Sequence, residues 1–434
     1  MSSQPAHTIA SRIRPEFLLA GFLVFCLHYY AYVYLFAFDE GVSAAPGVLK
    51  AVKDIVFIGA LIALGFATSR DQAKPWQAYV FWPFLLILAV TTALHVPQTG
   101  WYDQLRENIK NLALFVPIYW MAFSLTSQTR KQTTKHFFGI LIFAAITQSL
   151  FSFLFWFAGK KLWLDEVFVG FIGNPNSFAL MLNLALAVLL MFLHRSSGWK
   201  LTSLVLIAVG LIAATIMRTT SGSQFAIFVF LLAYSFILNV ESWKKYAAVA
   251  LVVTAVIGVD KTALDSTLFI FQNLASTIAG TNDPSNEGLT SANPIPSNHL
   301  PNSSPPVTSL SVSLREQNIR QAFSVLTESP EAALLGSFMN TRFVPMDGQF
   351  WVMLYNNGIA TILAFAIAAA FAFTSSGWYV WRHRNDKVSI VLHLMIAAFG
   401  ITCLASRIIM YFPFNFMFFM ICGLAIAKAT EARR

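Results

Sequence analysis

Apolar runs of helical length recur along most of this 434-residue chain, each closed by a short polar connector. About 20 apolar residues in an α-helix cross ~30 Å of hydrocarbon. The pattern predicts twelve spans, at about 16–37, 52–68, 76–95, 110–127, 136–158, 168–193, 201–217, 224–240, 246–260, 350–373, 388–405 and 408–427. One extramembrane segment is long, roughly 261–349. Its first part, 261–313, is rich in Ser, Asn, Pro and Thr and short of large apolar residues. Such a composition cannot bury a core and predicts a flexible excursion. From Leu314 to Glu328 a helical period returns, with Leu314, Ile319, Ala322, Phe323 and Leu326 near one side, and it stops at Ser329-Pro330. An amphipathic helix lying against the membrane surface is expected there. The chain thus divides into nine spans over 1–260, the loop 261–349 with a helical, site-forming part at 314–349, and three spans over 350–434. No internal repeat is visible, so an inverted-repeat transporter gains no support.

Composition supports the same class. Hydrophobic residues make up 57% and charged residues 11%, where soluble domains carry about a quarter charged. The expected fold is an all-α polytopic membrane protein. Cys26, Cys403 and Cys422 fall inside apolar runs and suggest neither a disulfide framework nor a metal site. Arg12 and Arg14 precede the first run, and no convincing small-residue cleavage site follows it, so a retained span is expected and not a removed signal.

The net charge of +9 reads as topology and not as a nucleic-acid footprint. One alternating set of connectors carries Arg12, Arg14, Arg70, Lys74, Arg130, Lys131, Lys135, Arg195, Lys200, Lys244, Lys245, Arg382, Arg384, Lys387, Lys428, Arg433 and Arg434. Its clear acids are only Asp71, Glu241, Asp386 and Glu431. The positive-inside rule makes these connectors and both termini cytoplasmic. Asp39, Glu40, Asp103, Glu107, Asp165 and Glu166 fall on the other side, as does the long loop.

Fewer basic residues fall on that outer side, among them Arg106, Lys110, Arg218, Arg315, Arg320, Arg342 and Arg407. Any one alone reads equally as a snorkelling charge. Several together repel one another unless an anion is present, and guanidinium forks bind phosphate oxygens bidentately. A lipid-linked phosphate or pyrophosphate is the anion expected at that interface, and Arg would stabilise the charge that develops as it leaves.

Two polar motifs fall on the same side. Asn174-Pro175-Asn176 opens the sixth span, with Asn174 in position to cap it and Pro175 in its first turn; Asn174 and Asn176 are equally candidates to donate to a sugar or phosphate. Between the seventh and eighth spans lie Arg218, Thr220, Ser221, Ser223 and Gln224. A hairpin turn needs small polar residues, but not the arginine. Asp347 follows Arg342 at the start of the tenth span, where an acid can also serve the helix terminus.

In this order the pieces resemble the bacterial O-antigen ligases and the O-antigen or exopolysaccharide polymerases. The resemblance rests on Asn174-Pro175-Asn176, the polar turn at 219–224, Arg315 and Arg320 followed by Pro330, Leu335 and Gly336, and Asp347 leading to Gly358-Ile359. It implies a metal-independent, cofactor-free, inverting glycosyl transfer at the periplasmic face of the bacterial inner membrane. The donor would be an undecaprenyl-pyrophosphate-linked glycan, and the acceptor another glycan repeat, lipid A–core, or protein. It casts Asp347, Arg315 and Arg320 as catalytic, and Arg218, Asn174, Asn176, Ser221, Gln224, Arg342 and Arg407 as substrate-binding. The family's Ser-Arg turn is Ser221-Gly222 here, with Arg218 three residues earlier. No His lies between His299 and His383, whereas ligases carry one near the position of Asp347, which favours a polymerase. A lipid-linked-glycan transporter is the rival class, and a membrane scaffold the weaker third.

Overall fold

The computed structural model describes residues 74–99, 112–159, 168–172, 174–239, 242–259, 319–337, 348–406, 408–411 and 413–433, with Asn108 and isolated positions between 21 and 62. The spans expected at 16–37 and 52–68 fall largely outside the described residues, and the excursion 261–313 wholly so.

No strand occurs among the described residues. The helices are α1 (Trp82–Thr99), α2 (Val116–Phe123), α3 (Ser127–Phe157), α4 (Pro175–Arg195), α5 (Trp199–Arg218), α6 (Gly222–Leu238) and α7 (Trp243–Val259). They continue with α8 (319–328), α9 (Pro330–Leu335), α10 (Gln349–Arg382), α11 (Lys387–Ala405) and α12 (Phe414–Glu431). Among the described residues seven are long and apolar enough to cross a membrane: Trp76–Pro97, which takes in most of α1, together with α3, α4, α5, α10, α11 and α12. Shorter apolar helices, Ala113–Phe123 and Gly222–Leu238, stand at the fourth and eighth expected spans. The protein is a multi-pass, all-α membrane protein.

Hydropathy marks only the apolar middle of a span, and two helices overrun it. The helix expected over 136–158 starts at Ser127, where Thr126 caps it by accepting from the Thr129 N–H. Arg130, Lys131 and Lys135 therefore ride on its first turns instead of in a connector. The helix expected to end near 373 continues to Arg382. Long basic side chains reach water from the end turns of a helix, so the helix itself need not stop where the apolar pattern does.

Helices α4 and α12 are apolar all round and almost wholly buried, with α11 beside them. Gly423 of α12 lets the backbone of α2 approach; a Cβ there would strike the carbonyl oxygen of Tyr119 and lie 2.9 Å from the Ala122 Cβ. Cys403 and Cys422 are buried free thiols packed in this centre.

The connectors rich in Lys and Arg meet at one end of the bundle. Arg130 pairs with Glu431 at 2.8 Å, and Lys428 with Asp386 at 2.5 Å. Lys387 donates to the Asn239 carboxamide at 2.7 Å, and Lys245 to the Leu193 carbonyl at 2.8 Å. The first turns of α3, α7 and α11 thus stand beside the last turns of α4, α6, α10 and α12. Burial pushes the Asp386 carboxyl up, but the Lys428 ammonium and the Ser389 hydrogen bonds outweigh it and hold the group below the usual carboxylate range.

Candidate functional site

At the opposite end, the sequence dictates two polar turns, and the fold joins them. Asn174 has extended backbone and its Oδ1 accepts from the Ser177 N–H at 3.0 Å, capping α4 with Pro175 in the first turn. Asn176, one residue into the helix, accepts from the Ser221 hydroxyl at 2.5 Å. Ser221 opens α6, so this bond ties the start of α4 to the α5–α6 turn. Thr220 in that turn is the one non-glycine residue with positive φ (52°) among the described residues. A β-branched residue there stores of order 1–3 kcal/mol of strain.

Arg218 ends α5 half-buried beside this turn. Its guanidinium lies 4.5 Å from the centre of the Trp156 ring on α3, and its carbonyl accepts from the Phe168 N–H at 3.0 Å. The cation–π contact with Trp156 holds the guanidinium beside the turn. Beneath the turn, Gln224 is fully buried. Its amide donates to the Thr402 hydroxyl at 3.1 Å and its Oε1 accepts from the Asn183 amide at 3.1 Å. Gln224 therefore knots α4, α6 and α11 together under the polar surface.

The start of α10 closes on the same end. Its N-cap is Gly348, one residue after Asp347, with φ of 89° and no side-chain cap. A Cβ on Gly348 would lie 2.5 Å from the Trp351 ring and 3.4 Å from the Leu404 carbonyl oxygen of α11. Gln349 is fully buried, and neither atom of its carboxamide has a hydrogen-bond partner among the described residues. Buried polar groups are almost always paired, so such a carboxamide marks a place where a partner belongs.

Helix α10 is not continuous. Gly358 has φ 74° and ψ 175°, outside the helical region. Asn356 and Asn357 just before it are buried; the Asn357 amide donates to the Asn108 carboxamide oxygen at 3.1 Å. The end of α9 fits against this break. Gly336 (φ 98°) leaves no room for a Cβ, which would come within 2.5 Å of the Asn356 carbonyl oxygen, and a Cβ on Gly358 would strike the Leu334 carbonyl. Ser337 N–H donates to the Tyr355 carbonyl at 2.9 Å. Two separated pieces of the sequence pattern, Leu335-Gly336 and Gly358-Ile359, are one backbone-to-backbone joint.

That joint sets α8 over α10. Ala322 and Val325 are its buried face, Gln321 reaches the Tyr355 hydroxyl at 3.4 Å, and the Phe323 and Trp351 rings lie 5.6 Å apart. Phe323 and Leu326, expected on the side facing the bilayer with Ala322, are exposed. The packed face is thus Ala322/Val325, because small residues allow the close approach to α10. Arg320 stands on the exposed side.

Of the residues singled out in the sequence, the fold brings together Asn174, Asn176, Arg218, Ser221 and Gln224, and sets Arg320 on the helix docked to α10. Asp347, Arg315, Arg342 and Arg407 lie outside the described residues. Gln349, Asn183, Thr402 and the Asn356-Asn357 pair were not singled out. Two asparagines before a glycine inside an apolar run are a signal for a broken span, since unwound backbone within a membrane occurs only where protein or a polar cavity covers it. No family model matches the chain, and no curated protein matches it.

Proposed function

We propose that this protein transfers a glycan from an undecaprenyl-pyrophosphate carrier to a sugar hydroxyl at the face opposite its basic end, as a polymerase of O-antigen or exopolysaccharide repeat units. In this reading the chain crosses the membrane twelve times with both termini in the cytoplasm, and the reaction takes place on the periplasmic side of the inner membrane. The observation that carries it is the Ser221–Asn176 bond of 2.5 Å, which unites two polar turns beside the stacked guanidinium of Arg218. A polar surface with an oriented arginine is what a sugar-pyrophosphate requires at a membrane boundary.

The acceptor hydroxyl attacks the anomeric carbon as the bond from that carbon to the pyrophosphate oxygen breaks, which inverts the configuration. Asp347 takes the hydroxyl proton. Arg315, Arg320 and Arg218 neutralise the charge gathering on the departing pyrophosphate. Asn174, Asn176, Ser221, Arg342 and Arg407 line the sugar and phosphate path, and Gln224 holds the turn from below. The buried carboxamide of Gln349, without a partner among the described residues, supplies a further contact at the start of α10.

A glycan gel of a deletion strain complemented with variants tests the reading. Arg315→Lys and Asp347→Asn should abolish polymer at normal protein level, leaving core plus one repeat. Bare core with accumulated lipid-linked polymer would instead assign a ligase. Single repeats held on the cytoplasmic side would assign a transporter.

A further inference from the structure

The basic end carries more guanidinium than its acids can answer. Arg382, Arg384 and Arg433 are exposed there. The guanidinium carbons of Arg382 and Arg433 lie 4.3 and 4.4 Å from the centre of the same Trp378 ring, and that of Arg384 lies 4.3 Å from the Trp381 ring. The neighbouring carboxylates are committed elsewhere, Asp386 to Lys428 and Glu431 to Arg130. Among the described residues, none of these arginines has a carboxylate partner. Like charges gathered on one indole repel, and the repulsion is relieved when an anion sits among them. The ring contacts also hold each guanidinium in place, and a guanidinium forks a phosphate through its N–H edges.

The surface next to them says which phosphate. Leu363, Ile367, Thr374, Trp378 and Trp381 are exposed at the spacings of a helical stripe on α10. Leu363 is 52% exposed and Ile367 68%, although both are large and apolar. From Leu363 to Trp381 the stripe rises roughly 27 Å at ~1.5 Å per residue, close to the hydrocarbon thickness of ~30 Å. It is apolar along most of its length, aromatic at its end, and basic just beyond, the profile of a lipid-facing helix at its headgroup boundary.

We infer that Arg382, Arg384 and Arg433, steadied by Trp378 and Trp381, bind the headgroup phosphate of an anionic phospholipid whose acyl chains lie along Leu363 and Ile367. The site stands apart from the polar turns and does not rest on the transferase reading. Each basic charge near an anionic lipid contributes about 1 kcal/mol, and 1.4 kcal/mol is tenfold, so losing two charges weakens binding about 30-fold.

The test titrates the full chain, purified in neutral detergent, with dioleoyl phosphatidylglycerol and reads bound lipid by native mass spectrometry. Dioleoyl phosphatidylcholine and inorganic phosphate form separate arms. Phosphatidylglycerol should bind in preference to both. Arg382→Gln with Arg433→Gln should weaken it about 30-fold, while Lys200→Gln, which removes an exposed charge on α5, should leave it unchanged. These arginines are exposed, so an unchanged melting temperature in the double variant separates lost binding from lost fold. Equal binding of phosphatidylcholine, displacement by equimolar inorganic phosphate, or an equal effect of Lys200→Gln would each overturn the site.

Discussion

Replacing Gly358 with alanine tests whether the break in α10 holds the loop helices in place. Gly358 has φ 74° and ψ 175°, a backbone region occupied almost only by glycine, where another residue stores of order 1–3 kcal/mol. An added Cβ would also strike the carbonyl of Leu334 and lie 2.4 Å from the Leu335 nitrogen. Both are backbone atoms and cannot rotate away. Overpacking of this kind costs about 1–3 kcal/mol, so the two effects together reach about 2–6 kcal/mol against a total stability of about 5–15 kcal/mol. The cheapest relief is to separate α9 from α10, which breaks the 2.9 Å bond from Ser337 N–H to the Tyr355 carbonyl and releases α8 with Arg320. Gly400→Ala is the matched control: that glycine lies inside α11 with nothing within 4 Å of the new Cβ, so the change should be neutral or stabilise by about 0.5–1 kcal/mol. Thermal unfolding in detergent and limited proteolysis between 319 and 348 read the outcome. The reasoning fails if Gly358→Ala melts at the same temperature as Gly400→Ala and its loop is cut no faster.

Other substitutions probe the remaining joints. Gln224→Ala removes bonds to both Asn183 and Thr402 and should lower stability by about 1–2 kcal/mol, somewhat more than one interhelical bond in a bilayer, as measured by thermal unfolding. Gln349→Leu removes a carboxamide that is buried without a partner among the described residues; it should leave the melting temperature unchanged or higher while lowering glycan transfer, and a loss of stability would count against the assignment. Asp386→Asn should cost about 1–2 kcal/mol at neutral pH through the lost pair with Lys428. The folded carboxyl titrates below its unfolded value, so this contribution is present above ~4, the unfolded aspartate pKa, and is lost as pH falls through the folded one. Melting curves of wild type and variant should converge in acid.

Local chemistry was legible in the sequence, and long-range partnership was not. Asn174 and Pro175 announce a helix start by their own backbone preferences, and the fold uses them so. Alternating basic connectors likewise anticipate a common basic end, since charges avoid hydrocarbon wherever the chain turns. Gln224 looks like a surface residue of a polar turn until its partner Thr402, far along the chain, is known. The Leu335-Gly336 and Gly358-Ile359 pieces were visible as a pattern, but their meeting depends on the path of the loop between them. Hydropathy averaged over a window also hides the break at Gly358, because two asparagines scarcely dent so long an apolar run. The face of α8 that packs on α10 was not legible either: period picks out the bulky Phe323 and Leu326, which stay exposed, whereas Ala322 and Val325 are the buried pair.

The central claim is best tested with the purified full chain, a synthetic undecaprenyl-pyrophosphate-linked repeat, and no other protein, with products resolved by mass spectrometry. The account predicts glycans of two or more repeats and release of undecaprenyl pyrophosphate, both lost in Arg315→Lys and unaffected by lipid A–core. Movement of the intact lipid-linked repeat across a vesicle bilayer, with no new glycosidic bond under either acceptor condition, would contradict it.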